Sequence, residues 1–139
     1  GLINKAIKRF RAKGITIILT THYMEDVEEV SDRVALLSLG KVLTFGRLDE
    51  LIASKGGPYV IILSDIKGSR KKAFGALDRL ENFEKIVPLD EKIYLVVSQE
   101  KISDAIAELS SLLSSREVKI GKIDIHEPSL NKVFLGINR

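Results

Sequence analysis

The stretch ITIILTTHYMEDVEEVSDRVALL, residues 15 to 37, changes its chemistry three times. Ile15 to Leu19 is almost continuously apolar and β-branched, which is how a parallel strand covered on both faces reads. Glu25, Asp26, Glu28 and Glu29 then crowd a segment from Tyr23 to about Val30. That segment reads as a helix whose acids lie towards its first turns, where the helix dipole favours negative charge. From Arg33 the apolar residues resume, and Arg33 to Leu39 and Val42 to Phe45 read as short strands joined across Gly40-Lys41. Between strand and helix stands His22. Ligands of open parallel sheets bind beyond the carboxyl ends of the strands, and an imidazole there donates a hydrogen bond to an anionic oxygen near neutral pH. The same residue also reads as a capping or structural histidine.

Working outward, residues 2 to 13 carry apolar side chains at helical spacing, and Gly14 supplies a left-handed stop. Lys5, Lys8, Arg9, Arg11 and Lys13 interleave with Leu2, Ile3, Ala6, Ile7 and Phe10, the pattern of a helix with one buried and one solvated face. A phosphate-backbone footprint is the weaker reading, because such footprints gather stacking aromatics nearby. Leu48 to about Ser54 is a short helix that Lys55-Gly56-Gly57-Pro58 breaks, so a segment boundary belongs there. Beyond it, Tyr59 to Leu63 is a strand and Ser69 to Leu80 a helix. Glu84 to Val87 and Lys92 to Val97 are strands about the turn Pro88-Leu89-Asp90-Glu91, and Lys101 to about Ser114 is a helix. Val118 to Ile125 is a strand, with a bulge expected at Gly121. The order is β-α-β-β-α-β, the split βαβ arrangement of ferredoxin-like folds. A last short helix begins at Ser129.

The 139 residues are 45% hydrophobic and 29% charged, ordinary for a globular chain. Cysteine is absent, which excludes disulfides, thiolate metal sites and cysteine nucleophiles, and leaves His22 and His126 as the side chains that titrate near neutrality. His126 reads as a strand-end surface residue. No metal site is expected. The net charge of +3 is spread evenly: nine Lys/Arg against seven Asp/Glu in residues 1–57, thirteen against twelve in residues 58–139. No apolar run approaches the ~20 residues that span a bilayer. A lone strand of the buried parallel type cannot satisfy its backbone or cover both faces. Residues 1–56 therefore read as cut from a larger α/β domain, with self-association or local disorder expected at their uncovered apolar surfaces.

The span from Ile17 to Leu37, followed by Gly40-Lys41-Val42 and Gly46, closely resembles the switch-histidine region of ABC transporter ATPases. In that family a strand ends in Thr/Ser-His, a helix carries acid-small-acid, and Asp-Arg opens a hairpin with a Gly-Lys turn. The form HYMEDVE is most similar to the ATPase subunits of ABC-2-type exporters. Val27 stands where Ala is common and Ser31 where Cys is frequent. The resemblance implies that His22 is the switch histidine that contacts the γ-phosphate of ATP in the intact protein, with ATP and magnesium as cofactors there. It implies a membrane-spanning transporter subunit and a second ATPase subunit as partners, and a cytoplasmic location peripheral to the membrane. Asp32 and Arg33 are then mainly structural, and Tyr23 and Met24 packing residues. The fold class that follows is α/β, the C-terminal remnant of a P-loop nucleotide-binding domain (1–56) joined to a ferredoxin-like α+β accessory domain (58–139).

No Gly-x-x-x-x-Gly-Lys-Ser/Thr loop, signature sequence or apolar strand ending in Asp-Glu occurs in these residues. The chain alone is thus expected neither to hold ATP tightly nor to hydrolyse it. Lys67-Gly68-Ser69 has lysine and glycine in the wrong order for a phosphate loop and reads as a strand-to-helix turn with Ser69 as N-cap. The resemblance continues in Glu127-Pro128-Ser129-Leu130-Asn131-Lys132-Val133-Phe134-Leu135, similar to a motif that ends the accessory domain of such exporters, with Asn131 where an acid is usual. It is read as packing. Two readings stand against the transporter one: a free-standing α/β regulatory or interaction module, and an RNA-binding sheet that would stack bases on Tyr59 and Tyr94. No nucleic-acid partner is expected.

Overall fold

Asn4, Lys8 and Arg11 fall on one face of a helix (i, i+4, i+7), and that polar face, not the apolar one, is where the N-terminal helix docks. The computed structural model describes residues 1–137, divided into two compact units: residues 1–56 with 129–137, and residues 57–128. In the first unit, α1 (Leu2–Ala12) lies against α2 (Met24–Val30). Asn4, only 6% exposed, donates from Nδ2 to Asp26 Oδ1 (3.1 Å) and to Glu29 Oε2 (2.9 Å). Lys8 Nζ reaches Glu29 Oε1 at 3.1 Å, and Arg11 pairs with Asp32. Leu2, Ile3 and Phe10 are exposed, so the expectation of a buried apolar face on this helix is overturned. Ala6 and Ile7 are half-buried, but no residue of the stripe joins either hydrophobic core.

The expected strand at Ile15 to Leu19 is likewise not formed. Residues 15–19 join no sheet, and Ile18 is 91% exposed. The physical reason is that a strand is made by its ladder partners, and this chain supplies no parallel neighbour for the run. Gly14, at φ +81°, does end the preceding helix region as read from the sequence.

The hairpin forms. β1 (Arg33–Ser38) pairs antiparallel with β2 (Lys41–Arg47), with Leu39 and Gly40 both at positive φ in the turn. Leu36 pairs with Thr44 but Leu37 with Val42, so Leu43 is an extra residue, a bulge that the sequence did not announce. α3 (Leu48–Lys55) follows, and α6 (Leu130–Ile137) packs on it. The core joins Val34, Leu36, Leu51, Leu130 and Val133, with Met24, Val27, Leu43, Leu48 and Phe134 around it. The sequence grouped residues 58–139 together; in the structure the last helix packs into the first unit. Ser129 caps α6, its Oγ accepting from Lys132 N at 3.3 Å, and the Glu28 carboxylate accepts the N–H of Leu130.

The second unit is one antiparallel sheet in the order β4-β5-β3-β6, from β3 (Tyr59–Lys67), β4 (Lys85–Leu89), β5 (Lys92–Val97) and β6 (Lys119–His126). β3 pairs with both β5 and β6. Pro88, which cannot donate to a ladder, lies on β4 at the sheet edge. Residues of α4 (Arg70–Leu77) and α5 (Ile102–Ser114) cover one sheet face, burying Ile61, Leu63, Ile93 and Leu95 against Ala73, Ala76, Leu77 and Leu109. Fully buried aliphatic side chains contribute about 1.5–3 kcal/mol each, which makes this sheet-and-helix layer the main source of the unit's stability. The irregularity at Gly121 is present without a slip: pairing skips Asp65 and Gly121 and resumes in the same register at Ile66↔Ile120. Asp65, at φ +52°, fills the space beside Gly121, so that a Cβ there would come within 2.0 Å of Asp65 Oδ2.

Glu108 of α5 holds the chain after α4. Its carboxylate accepts the backbone N–H of Glu81 (2.9 Å) and Asn82 (3.1 Å) and the Asn82 amide (3.2 Å). Burial by itself would raise this carboxyl, but these donors outweigh it and hold it below the ordinary carboxylate value. A depressed acid adds stability above its unfolded pKa, about 4.3, and loses that contribution as pH falls through the folded value. Glu108→Gln is therefore expected to lower the urea midpoint of the second unit at neutral pH, with the gap from the parent chain closing below about pH 4. A gap independent of pH would contradict this.

Candidate functional site

The backbone after α1 joins no helix or strand from residue 15 to Thr21, bends at His22 and enters α2 at Met24. Its imidazole is solvent-exposed and lies 4.2 Å from the Tyr23 ring, centroid to centroid, tilted by 35°. Tyr23 is exposed too, against the expectation that it packs, and its N–H donates to Thr21 Oγ1 at 3.1 Å, which tightens the turn. Met24 is half-buried and touches the first unit's core. His22 is thus presented rather than buried. What the arrangement offers chemically is a single imidazole donor or acceptor beside an aromatic ring.

The acids behind it are tethers more than dipole partners. Asp26 and Glu29 hold Asn4 and Lys8 of α1, and Glu28 holds the start of α6. The Lys8 ammonium, then the Asn4 amide, draw the Glu29 carboxyl below its ordinary value. Asp32 and Arg33 are structural as expected, though not paired with each other: Asp32 binds Arg11, and Arg33 lies over the Phe45 ring at 6.0 Å. The sequence missed Asn4 and Glu28 as the joints of this region. A signal existed in the helical alignment of Asn4 with Lys8 and Arg11 opposite a run of acids.

ATP and magnesium do not fit these residues as a complete site. His22 supplies one donor, no phosphate loop is present in the sequence, and among the described residues no three His, Cys, Asp or Glu side chains gather as metal ligands. His126 is exposed on β6 opposite Val60, remote in sequence and unit from His22. The two tyrosines of the RNA reading are on opposite sides of the sheet. Tyr59 shares a face with its partner Val97, whereas Tyr94 pairs with Ile62 on the other face, so no stacking pair is available. No described helix is long and apolar enough to cross a membrane.

No protein-family model matches the chain. Individual proteins do. It is 23% identical over 135 residues to the linearmycin resistance ATP-binding protein LnrL of Bacillus subtilis, covering 97% of this chain and 43% of that protein. It is 25% identical over 122 residues to the daunorubicin resistance ATP-binding protein DrrA3 of Streptomyces coeruleorubidus, covering 88% and 37%. With ABC transporter A family member 8 of Arabidopsis thaliana it shares 30% over 117 residues, 84% of this chain and 11% of that protein. The chain spans less than half the length of these relatives. The resemblance read between Ile17 and Gly46 is borne out over nearly the whole chain.

Proposed function

We propose, from a chain related along its length to ABC transporter ATP-binding proteins, that it is the C-terminal portion of an ABC-2-type exporter ATPase. The observation that carries this is the order of features from Leu19 to Gly46: an apolar segment, Thr-His, an acid-rich helix, Asp-Arg, and a hairpin turned at Gly40, with His22 held open to solvent. In the longer protein His22 contacts the γ-phosphate of ATP as one half of a switch. The phosphate cradle and the magnesium ligands lie elsewhere in that protein. Its activity is magnesium-dependent ATP hydrolysis, coupled to export by a membrane-spanning subunit and shared with a second ATPase subunit, on the cytoplasmic side. Resistance proteins among the relatives support an export role.

Residues 1–56 are the tail of the nucleotide-binding domain in this reading, and residues from 58 onwards hold a ferredoxin-like accessory domain. The strand order β4-β5-β3-β6 supports the second assignment, since it sets the last strand beside the first and the third between first and second. The deciding experiment is to sequence the gene upstream of Gly1 and assay its full product. A phosphate loop, a signature and an Asp-Glu strand end, with magnesium-dependent ATP turnover, are expected; a gene without them overturns the reading in favour of a free-standing module.

The exposed apolar face of α1 and residues 15–19 fit the same reading, as surfaces that the rest of the nucleotide-binding domain covers. The 139-residue chain by itself is expected to self-associate through them. Light scattering that shows a monomer, with strong hydrogen-exchange protection across residues 15–19, would contradict this.

A further inference from the structure

Two local rules of charge placement are broken in the second unit, and both breaks meet in one cleft. Lys67 and Lys119 are directly paired across β3 and β6, where like charges destabilise a ladder. The first turn of α4 is Arg70-Lys71-Lys72 with no acid, at the helix end whose dipole repels cations. Lys67, Lys72 and Lys119, with Arg116 at φ +64° in the turn before β6, line a cleft of about 380 Å³ beside Ser69. That volume is within the ~300–1,000 Å³ of small-ligand sites.

The cleft's own carboxylate does not neutralise it. Glu117 is engaged by Arg79 Nη2 at 3.1 Å, and Asp65 bridges Lys67 alone at 3.0 Å. Lys72, Arg116 and Lys119 form no ion pair among the described residues. Asp65 compensates Lys67 only, so the charge of Lys72, Arg116 and Lys119 is left for a bound anion to relieve, and rule-breaking of this kind marks functional positions. No aromatic side chain lines the cleft, so it offers charge and no platform for nucleobases.

The geometry points to an anion site: the cleft between the start of α4 and the β3–β6 strand ends binds a phosphate-bearing ligand through Lys67, Lys72, Arg116 and Lys119. This site lies in the second unit and does not depend on the transporter reading. The shared chemistry is a multiply charged phosphate, carried by a soluble molecule or by a lipid headgroup.

The test uses the whole chain at about 0.15 M ionic strength, where weak exposed attractions are screened. Pyrophosphate is expected to shift the amide resonances of Gly68, Ser69 and Arg116 and to raise the melting temperature. The double variant Lys67→Gln/Lys119→Gln is expected to weaken binding roughly tenfold or more, while its anion-free melting temperature stays level or rises. Lys72→Gln serves if the double variant does not fold, and Lys5→Gln/Arg9→Gln on α1 is the control. A parallel arm sediments the chain with phosphatidylcholine vesicles carrying phosphatidic acid. Site-dependent binding of vesicles without a pyrophosphate response assigns the headgroup; the reverse assigns a soluble phosphate. No response to either probe, or equal loss in the α1 control, overturns the site.

Discussion

Replacing His22 by alanine in the longer protein is expected to lower ATP turnover by about a hundredfold, the usual scale for removing one donor to a charged oxygen in a catalytic site. Nucleotide binding should persist, because the residues that would cradle the phosphates are not in this segment. The prediction separates function from folding cleanly. His22 is exposed, and its ring touches only Tyr23 among the aromatics described, so His22→Ala should leave the stability of the 139-residue chain within about 0.5 kcal/mol. Turnover equal to the parent protein's would remove His22 from the switch role. A marked loss of stability would instead make it the structural histidine that the sequence also allowed.

Leu130→Ala should have the largest effect on folding. Leu130 is fully buried at the start of α6, in a core with Val34, Leu36, Leu51 and Val133. Its truncation is expected to cost about 2–5 kcal/mol. The loss should fall on the first unit alone. Amide resonances of residues 57–128 are expected to keep their positions, while those of the hairpin and α3 broaden or shift. Glu28→Gln, which weakens the acceptor for the Leu130 N–H without opening a cavity, should move the same resonances by less. Unchanged hairpin spectra in Leu130→Ala would show that α6 does not complete this core.

Much of this architecture was legible because it is local. Ser69 is an N-cap as read, the last helix begins at Ser129 as its cap, Gly40 turns the hairpin, and α5 forms where a helix was expected from Lys101 to about Ser114. Capping and amphipathic spacing act within a turn or two of chain, so a short window contains their cause. Ile15 to Leu19 shows the limit. Its residues state correctly that they want burial on both faces, but whether they become a strand depends on neighbours that no window of this chain contains. The apolar stripe of α1 fails for the same reason, and polar contacts to Asp26, Glu29 and Asp32 decide its docking instead.

The candidate site divides in the same way. The sequence alone singled out His22 and its family resemblance, because the residue types and their order carry that information without coordinates. Apart from the strand expected at Ile15 to Leu19, it also determined the succession of the helices and strands, which follows from periodicity, caps and turn residues. Tertiary structure decided which unit receives the last helix, that Glu28 fastens it, that Tyr59 and Tyr94 face apart, and that Lys67 and Lys119 stand side by side. These are facts of register and long-range packing, set by which distant surfaces exclude water together, and linear spacing does not encode them one residue at a time.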